Sequence, residues 1–413
     1  MVTPLWLTMA RKYNMDYELE AIQRWEPNTK ALVGWDPIEA CKRLDNSISG
    51  PLSGWSIGVK DIIDVQGMPT LCNASFVSRE PVTHDAEIVK KLLSQGAFVL
   101  SKTVTTPFAF LDPGITCNPW NFEHTPGGSS SGSAAAVACG MVRLALGSQT
   151  VASVIRPASY CGVVGFKPTF ERFSTAGIFP FSPAVDTVGF FTRSVSDMQI
   201  VMEALTKESV KQVGNRIIKL GLVSDIAAKP AGEEMLNVLN NSVSSLDGQS
   251  FKVEPVTVPE GSSEAYSYHF DLISAEAFQV HEKFFSRYRD RYPSNLRQLL
   301  LKGKTISSQE IEQIREHKSL FRKRLLGLFE EYDVLVTPSA SGAAPRGLGK
   351  TGDPRFSLLW TYTGCPSLTL PVALSSGGLP MGLQLIGRPM EDTTLLSISK
   401  MIETFLPFSS LVG

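Results

Sequence analysis

The sequence has no excess charge of either sign, no Cys-x-x-Cys, no His-Glu-x-x-His and no apolar run of membrane length. A formal net charge of -1 gives neither the basic footprint that nucleic acid selects nor a polybasic face for anionic lipid. The five histidines are scattered, so no metal-ligand set and no cofactor is expected. The six cysteines (Cys41, Cys72, Cys117, Cys139, Cys161 and Cys365) have no paired spacing, and several sit among apolar residues. They read as reduced, mostly buried thiols, which points to the cytoplasm. No apolar stretch reaches the roughly 20 residues of a membrane span. The N-terminal "MVTPLWLTMARKYNMDYELE" lacks a long apolar core and a small-residue cleavage site, so no signal peptide is expected.

What is present is an ordinary globular composition, 43% apolar and 19% charged over 413 residues. That length holds one large α/β domain or two or three smaller ones. Residues 1–50 read as short helices broken by Pro27 and Pro37, and "WSIGVKDIID" (55–64) as a strand entering a loop. "DAEIVKKLLSQG" (85–96) has helical spacing and stops on Gly96, and "AFVLSK" after it reads as a buried strand. Further strands are predicted at 141–148, 162–168 and 217–223, in "DVLVTP", in "SLTLPV" and in "MGLQLIG". A helix is expected from Ser307 to Tyr332, and a closing one from about Glu391 to Phe405. Strands alternating with helices along the chain predict an α/β fold with one extended sheet. Residues 205–300 carry weaker strand signals and could form an inserted helical lobe.

Three motif matches fail on context. "APRGLGKT" (344–351) approximates a phosphate loop, but "GDP" follows where a helix must begin. "SISK" (397–400) and "KTG" (350–352) occur in the reverse of the order that penicillin-binding enzymes need, and Ser397 reads as a solvated helix serine. "GSSSG" (128–132) fits the nucleophile-elbow pattern at Ser130, yet no strand precedes it. The histidines that could serve it, His269, His281 and His317, fall in polar helical stretches.

A serine nucleophile without a histidine can use lysine, because desolvation lowers the amine's pKa until it is neutral and basic. "GVKDIID" puts Lys60 directly after an apolar run, and "GGSSSGSAAAVACG" (127–140) joins a serine-rich loop to an alanine-rich buried helix. "GSQTVASVIRPASYCG" (147–162) adds another serine in a turn between two apolar strands. Together they suggest a Lys–Ser–Ser relay, against the plain alternative of a strand lysine that points to solvent.

These stretches, with "GCPSLTLPV" and "GLPMGLQLIG" near the C-terminus, resemble the amidase signature family in order and spacing. The resemblance implies a single α/β domain over 1–413, with an extended mixed β-sheet surrounded by helices. Within it, 50–205 would hold the signature core, 205–330 a variable and mainly helical region, and 330–413 the strands and helix that complete the sheet. It implies Lys60 as base, Ser129 as bridging serine after a cis Gly128–Ser129 peptide, and Ser153 as acylated nucleophile. Backbone N–H groups of Thr150, Val151 and Ala152, with that of Ser153, would hold the oxyanion, and Ser130 would meet the substrate.

The chain departs from the family's usual Thr-Asp-Thr-Gly-Gly-Ser before the nucleophile, having "SQTVAS" instead. Were φ positive at either glycine position, Val151 or Ala152 would be costly there. Gln149 and "SVIRPA" resemble the malonamidase-like branch, in which Arg156 would grip a substrate carboxylate through a bidentate fork. A structural arginine paired with an internal acid is the alternative. The expected activity is hydrolysis of the C–N bond of a small carboxylic amide through an acyl-serine. Acyl transfer or amide formation, a glutaminase-type subunit of a transfer-RNA amidotransferase and a catalytically impaired binding protein remain alternatives. The expected partner is a small-molecule amide, with no nucleic acid, no membrane, and a homodimer left open.

Overall fold

One mixed sheet of eleven strands runs through the molecule in the order β1-β3-β2-β4-β6-β5-β10-β11-β9-β7-β8. The strands are β1 (Leu32–Val33), β2 (Ser56–Lys60), β3 (Phe98–Thr103), β4 (Leu144–Gln149), β5 (Val164–Lys167), β6 (Thr187–Thr192), β7 (Ile218–Leu222), β8 (Phe251–Pro255), β9 (Val334–Pro338), β10 (Ser367–Leu374) and β11 (Pro380–Ile386). The computed structural model describes residues 15–210, 213–214, 216–223 and 231–412. The N-terminal stretch weighed for a signal peptide falls mostly outside them, and so does the first part of the helical reading of 1–50. Twelve α-helices accompany the sheet among the described residues, and none is long and apolar enough to cross a membrane.

Helices on both faces bury the central strands, which therefore read as unbroken apolar runs in sequence. β2, β3, β4, β5, β6, β9 and β11 are buried at every position. β2 pairs in parallel with β3 and β4, whereas β6 runs antiparallel to both β4 and β5. The edge strand β8 escaped the sequence reading. Lys252, Glu254 and Pro255 interrupt its pattern, as befits a half-exposed strand paired on one side only. The region 205–330 thus adds two strands, β7 and β8, besides its helices.

Two expectations about local structure shift. Ser153 does not lie in a turn between two strands, because the helix Ile155–Cys161 intervenes before β5. Pro157 is its third residue, where no intrahelical donor is needed, and Gly162 ends it at φ 69° in the left-handed region. Ser397 is buried rather than solvated, and its hydroxyl donates to the Thr393 carbonyl.

The serine-rich loop leads into the helix Ser131–Ala138, buried along its whole length and packed against β2, β3 and β4. Alanine lets it lie close to the sheet, and Gly132 lets it lie closer still. A Cβ there would come within 2.3 Å of the Ala31 carbonyl oxygen and 2.4 Å of the Val104 nitrogen. Both are backbone atoms that cannot rotate away. Gly132→Ala is therefore expected to cost about 1–3 kcal/mol of unfolding free energy. Urea denaturation measures this, and an unchanged midpoint would mean the helix has room to move.

Candidate active site

β2 and β4 lie side by side in parallel, Val59 opposite Leu146, so both release the chain at the same edge of the sheet. In such sheets the carboxyl ends of the strands are where ligands gather. Lys60 is the last residue of β2, and Ser148 and Gln149 are the last two of β4. Ser129 arrives from the turn before the helix Ser131–Ala138, whose N-terminus overhangs that edge.

Lys60 is fully buried, with its Nζ 2.7 Å from Ser129 Oγ and 2.9 Å from Ser148 Oγ. Burial lowers its pKa to about 7, partly opposed by the negative charge of Asp186. Asp61 follows Lys60 in sequence but does not neutralise it. Its carboxylate pairs instead with buried Lys102, Oδ1 to Nζ 3.2 Å. Among the described residues, Lys60 therefore contacts hydroxyls and has no carboxylate in ion-pair contact, Asp186 acting only from a distance, which suits a neutral amine. Ser148 was missed in the sequence. A serine in an otherwise apolar strand gives only the alternation of faces as its signal.

The Gly128–Ser129 peptide is cis. Its surroundings hold both carbonyls: Arg156 donates to Gly128 O at 2.7 Å, and the Thr106 N–H and Thr105 hydroxyl donate to Ser129 O at 3.2 Å each. Ser130 turns elsewhere. Its hydroxyl donates to the Ser148 carbonyl and accepts from the Ser148 N–H, bracing the loop on β4 rather than facing a ligand.

Ser153 is 8% exposed, on the turn that links β4 to the helix Ile155–Cys161. Among the described residues, no hydrogen bond joins it to Ser129. Gln149 shapes this turn. Its side-chain oxygen accepts the N–H groups of Val154 at 2.8 Å and Ile155 at 3.1 Å, while its amide donates to Thr361. Neither Val151 nor Ala152 has positive φ, so the side chains there cause none of the strain that glycine would relieve. The Thr150 hydroxyl donates to Asp186, whose other oxygen accepts the N–H groups of Phe181 and Ser182. Burial raises the Asp186 pKa to about 6.

Ser153 and Arg156 line one narrow crevice with Phe110, Val151, Phe181 and Pro354. A cavity of about 490 Å³ adjoins it through Ala109, Thr150 and Phe181, and takes in Ser148 and Asp186. A larger cavity of about 600 Å³ near Asn73, Arg79 and Arg291 includes none of Lys60, Ser129 and Ser153. The Arg156 guanidinium is 2% exposed and donates to Gly352 O, Gly128 O and Thr351 Oγ1. No carboxylate pairs with it among the described residues, and burial lowers its pKa to about 10, which leaves it charged at neutral pH. Thr351 and Gly352 belong to the loop that mimics a phosphate site. It is mostly exposed up to Lys350, and the next helix starts only at Arg355.

His269 and His281 depart from the expectation of polar surroundings, since both are fully buried in the helix Ser262–Tyr288. His269 reaches the Thr150 carbonyl. Among the described residues, no group of three or more His, Cys, Asp and Glu is gathered to hold a metal ion.

The chain is also similar to known proteins over nearly its whole length. The Amidase family model matches residues 16–396. A glutamyl-tRNA(Gln) amidotransferase subunit from Shouchella clausii (strain KSM-K16) is 29% identical, covering 96% of this chain and 94% of that protein. A crystal structure of an amidase superposes with a TM-score of 0.86 at 28% identity, over 97% of this chain and 99% of that one. A peptide amidase bound to the competitive inhibitor chymostatin gives 0.80 at 25% identity, over 97% and 94%.

The dry setting of Lys60 has a measurable consequence. Its amine is expected to titrate near pH 7 in nitrogen-15 spectra assigned with Lys60→Met. A midpoint near that of an exposed lysine, about 10.4, would overturn this picture of its surroundings.

Proposed function

The chain belongs to the amidase family, and from that premise we propose that it hydrolyses a small carboxylic amide through an acyl-enzyme on Ser153, with Lys60 as base and Ser129 as relay. The observation that carries this reading is the 2.7 Å contact between the buried Lys60 amine, its pKa lowered by burial, and Ser129 Oγ, at the strand edge from which the Ser153 turn leaves.

Ser153 Oγ attacks the amide carbon as its proton passes to Ser129 and the Ser129 proton passes to Lys60. The C–O bond forms, and the carbonyl π pair moves onto oxygen. N–H groups of the Thr150–Ser153 turn receive the oxyanion; such donors each contribute about 2.7–4 kcal/mol in enzymes where one has been removed. The proton held on Lys60 returns through Ser129 to the amide nitrogen, and the C–N bond breaks to release ammonia or an amine. Water, deprotonated along the same path, then cleaves the ester and restores Ser153. Ser148 holds the Lys60 amine in line with Ser129 throughout.

Arg156 selects amides that carry a carboxylate, in the manner of the malonamidase-like branch. Its support is a buried guanidinium with no carboxylate in ion-pair contact among the described residues, lining the same crevice as Ser153. Transfer of the acyl group to an amine is the second reading, favoured by the relatives named as amidotransferase subunits. Added hydroxylamine yields hydroxamate in proportion to its access, and so measures that capacity.

A fluorophosphonate probe is expected to add once, at Ser153, and labelling that survives Ser153→Ala would sink the assignment. The labelling rate should climb as pH rises through about 7, where Lys60 loses its proton. Lys60→Met should cut the rate by at least about 10²-fold, at the low end of what general bases contribute. A near-wild-type rate in that variant would remove Lys60 from the reaction.

Arg156→Ala should lower kcat/KM for a carboxylate-bearing amide by about 10–100-fold, as expected for a lost charged hydrogen bond of about 1.5–3 kcal/mol. A neutral amide of equal size should be much less affected. Equal losses on both, measured on folded protein, would show that Arg156 only ties Gly128 to the loop at Thr351 and Gly352.

A further inference from the structure

That reading leaves His269 without a task. The helix Ser262–Tyr288 lays its imidazole, fully buried, against the back of the turn that carries Ser153, with Nε2 2.9 Å from the Thr150 carbonyl oxygen. A carbonyl oxygen can only accept, so Nε2 bears the hydrogen. Nδ1 is buried with no partner, and burial lowers the ring's pKa to about 3. At working pH the side chain is a neutral imidazole with one donor, and that donor is committed to Thr150.

The peptide units of this turn are trans, the cis bond among the described residues being Gly128–Ser129. In a trans peptide the C=O and the N–H point in opposite directions. Drawing the Thr150 oxygen toward the helix therefore turns the Val151 N–H the other way. Thr361 Oγ1 accepts from the Gln149 amide and lies 2.8 Å from the Val151 carbonyl oxygen, but its one proton is shared with the Ser357 carbonyl oxygen at 3.0 Å, so the His269 donor is the one committed to this turn. Accepting a hydrogen bond at C=O also polarises the same peptide's N–H, which strengthens it as a donor.

We infer that His269 is a positioning residue, which aims the Val151 N–H at the oxyanion formed on attack by Ser153. The inference rests on Ser153 being the nucleophile, as proposed above. It is distinct from a core histidine that merely fills space, because it assigns the effect to one nitrogen. Glutamine carries its amide nitrogen about where Nε2 lies, and asparagine carries its own about where Nδ1 lies.

The test is the rate of Ser153 modification by a fluorophosphonate, read by intact mass on folded full-length protein. Wild type is compared with His269→Gln, His269→Asn, His269→Leu and Ser153→Ala. Phosphonylation places charge on a phosphoryl oxygen in the same turn. The leucine and asparagine variants are expected to react on the order of 10–100-fold more slowly, less than the loss of a donor outright, and the glutamine variant within about threefold of wild type. Equal rates for leucine and wild type, or equal losses for glutamine and asparagine, overturn the inference while Ser153 stands. Labelling that persists in Ser153→Ala, or a wild type that takes no label, overturns the nucleophile assignment and the inference with it. If the leucine variant does not fold, the glutamine–asparagine pair decides: a glutamine rate no faster than asparagine's overturns the inference.

Discussion

An ammonium ion is stable in water and costly in a dry protein, and the site is organised around that difference at Lys60. Its amine has two serine hydroxyls for partners and no carboxylate, because the neighbouring Asp61 is held by Lys102. Such surroundings favour the neutral amine, the form able to accept a proton. They exist only while the helix Ser131–Ala138 stays pressed against the strands below it. The run of small residues there keeps Lys60 buried, and in the proposed mechanism it would act only by keeping water away.

The turn after β4 meets a different demand. In the proposed mechanism its backbone presents N–H groups to one side, and side chains from distant parts of the chain contact its carbonyls and hydroxyl on the other. Gln149 suits this because an amide both accepts and donates. Its oxygen receives two N–H groups at the start of the next helix, and its nitrogen reaches Thr361. An ionised aspartate in that place could accept but not donate. Arg156 connects the two halves of the site, since its bonds to Gly128 on one side and to Thr351 and Gly352 on the other join the relay loop to the crevice wall.

Positive φ was the hazard foreseen at Val151 and Ala152, and the backbone does not adopt it there. The turn therefore carries ordinary L-residues without steric conflict. Its orientation comes from hydrogen bonds supplied by Asp186, His269 and Thr361 rather than from glycine's freedom.

Read by itself, the sequence determined the α/β alternation and eight of the strands, because apolar periodicity and Gly or Pro stops are local. It also drew attention to Lys60, at the end of an apolar run, while Ser129 and Ser153 were named through family resemblance. It missed the two-residue edge strand β1, the central strand β6, β8, whose charges and proline hide a one-sided strand, and the helix Ile155–Cys161, which is only seven residues long. Ser148, Thr361 and His269 could not be found that way, since each matters through a partner far away in the chain. His269 looked like a residue of a polar helix because sequence shows which residues neighbour it along the chain and not which face is covered. Tertiary structure decided that face, turned Ser130 toward β4, and left Arg156 buried with no carboxylate in ion-pair contact among the described residues. These outcomes depend on how the 262–288 helix, the 351–352 loop and the strand ends pack together, and packing is a property of the whole chain.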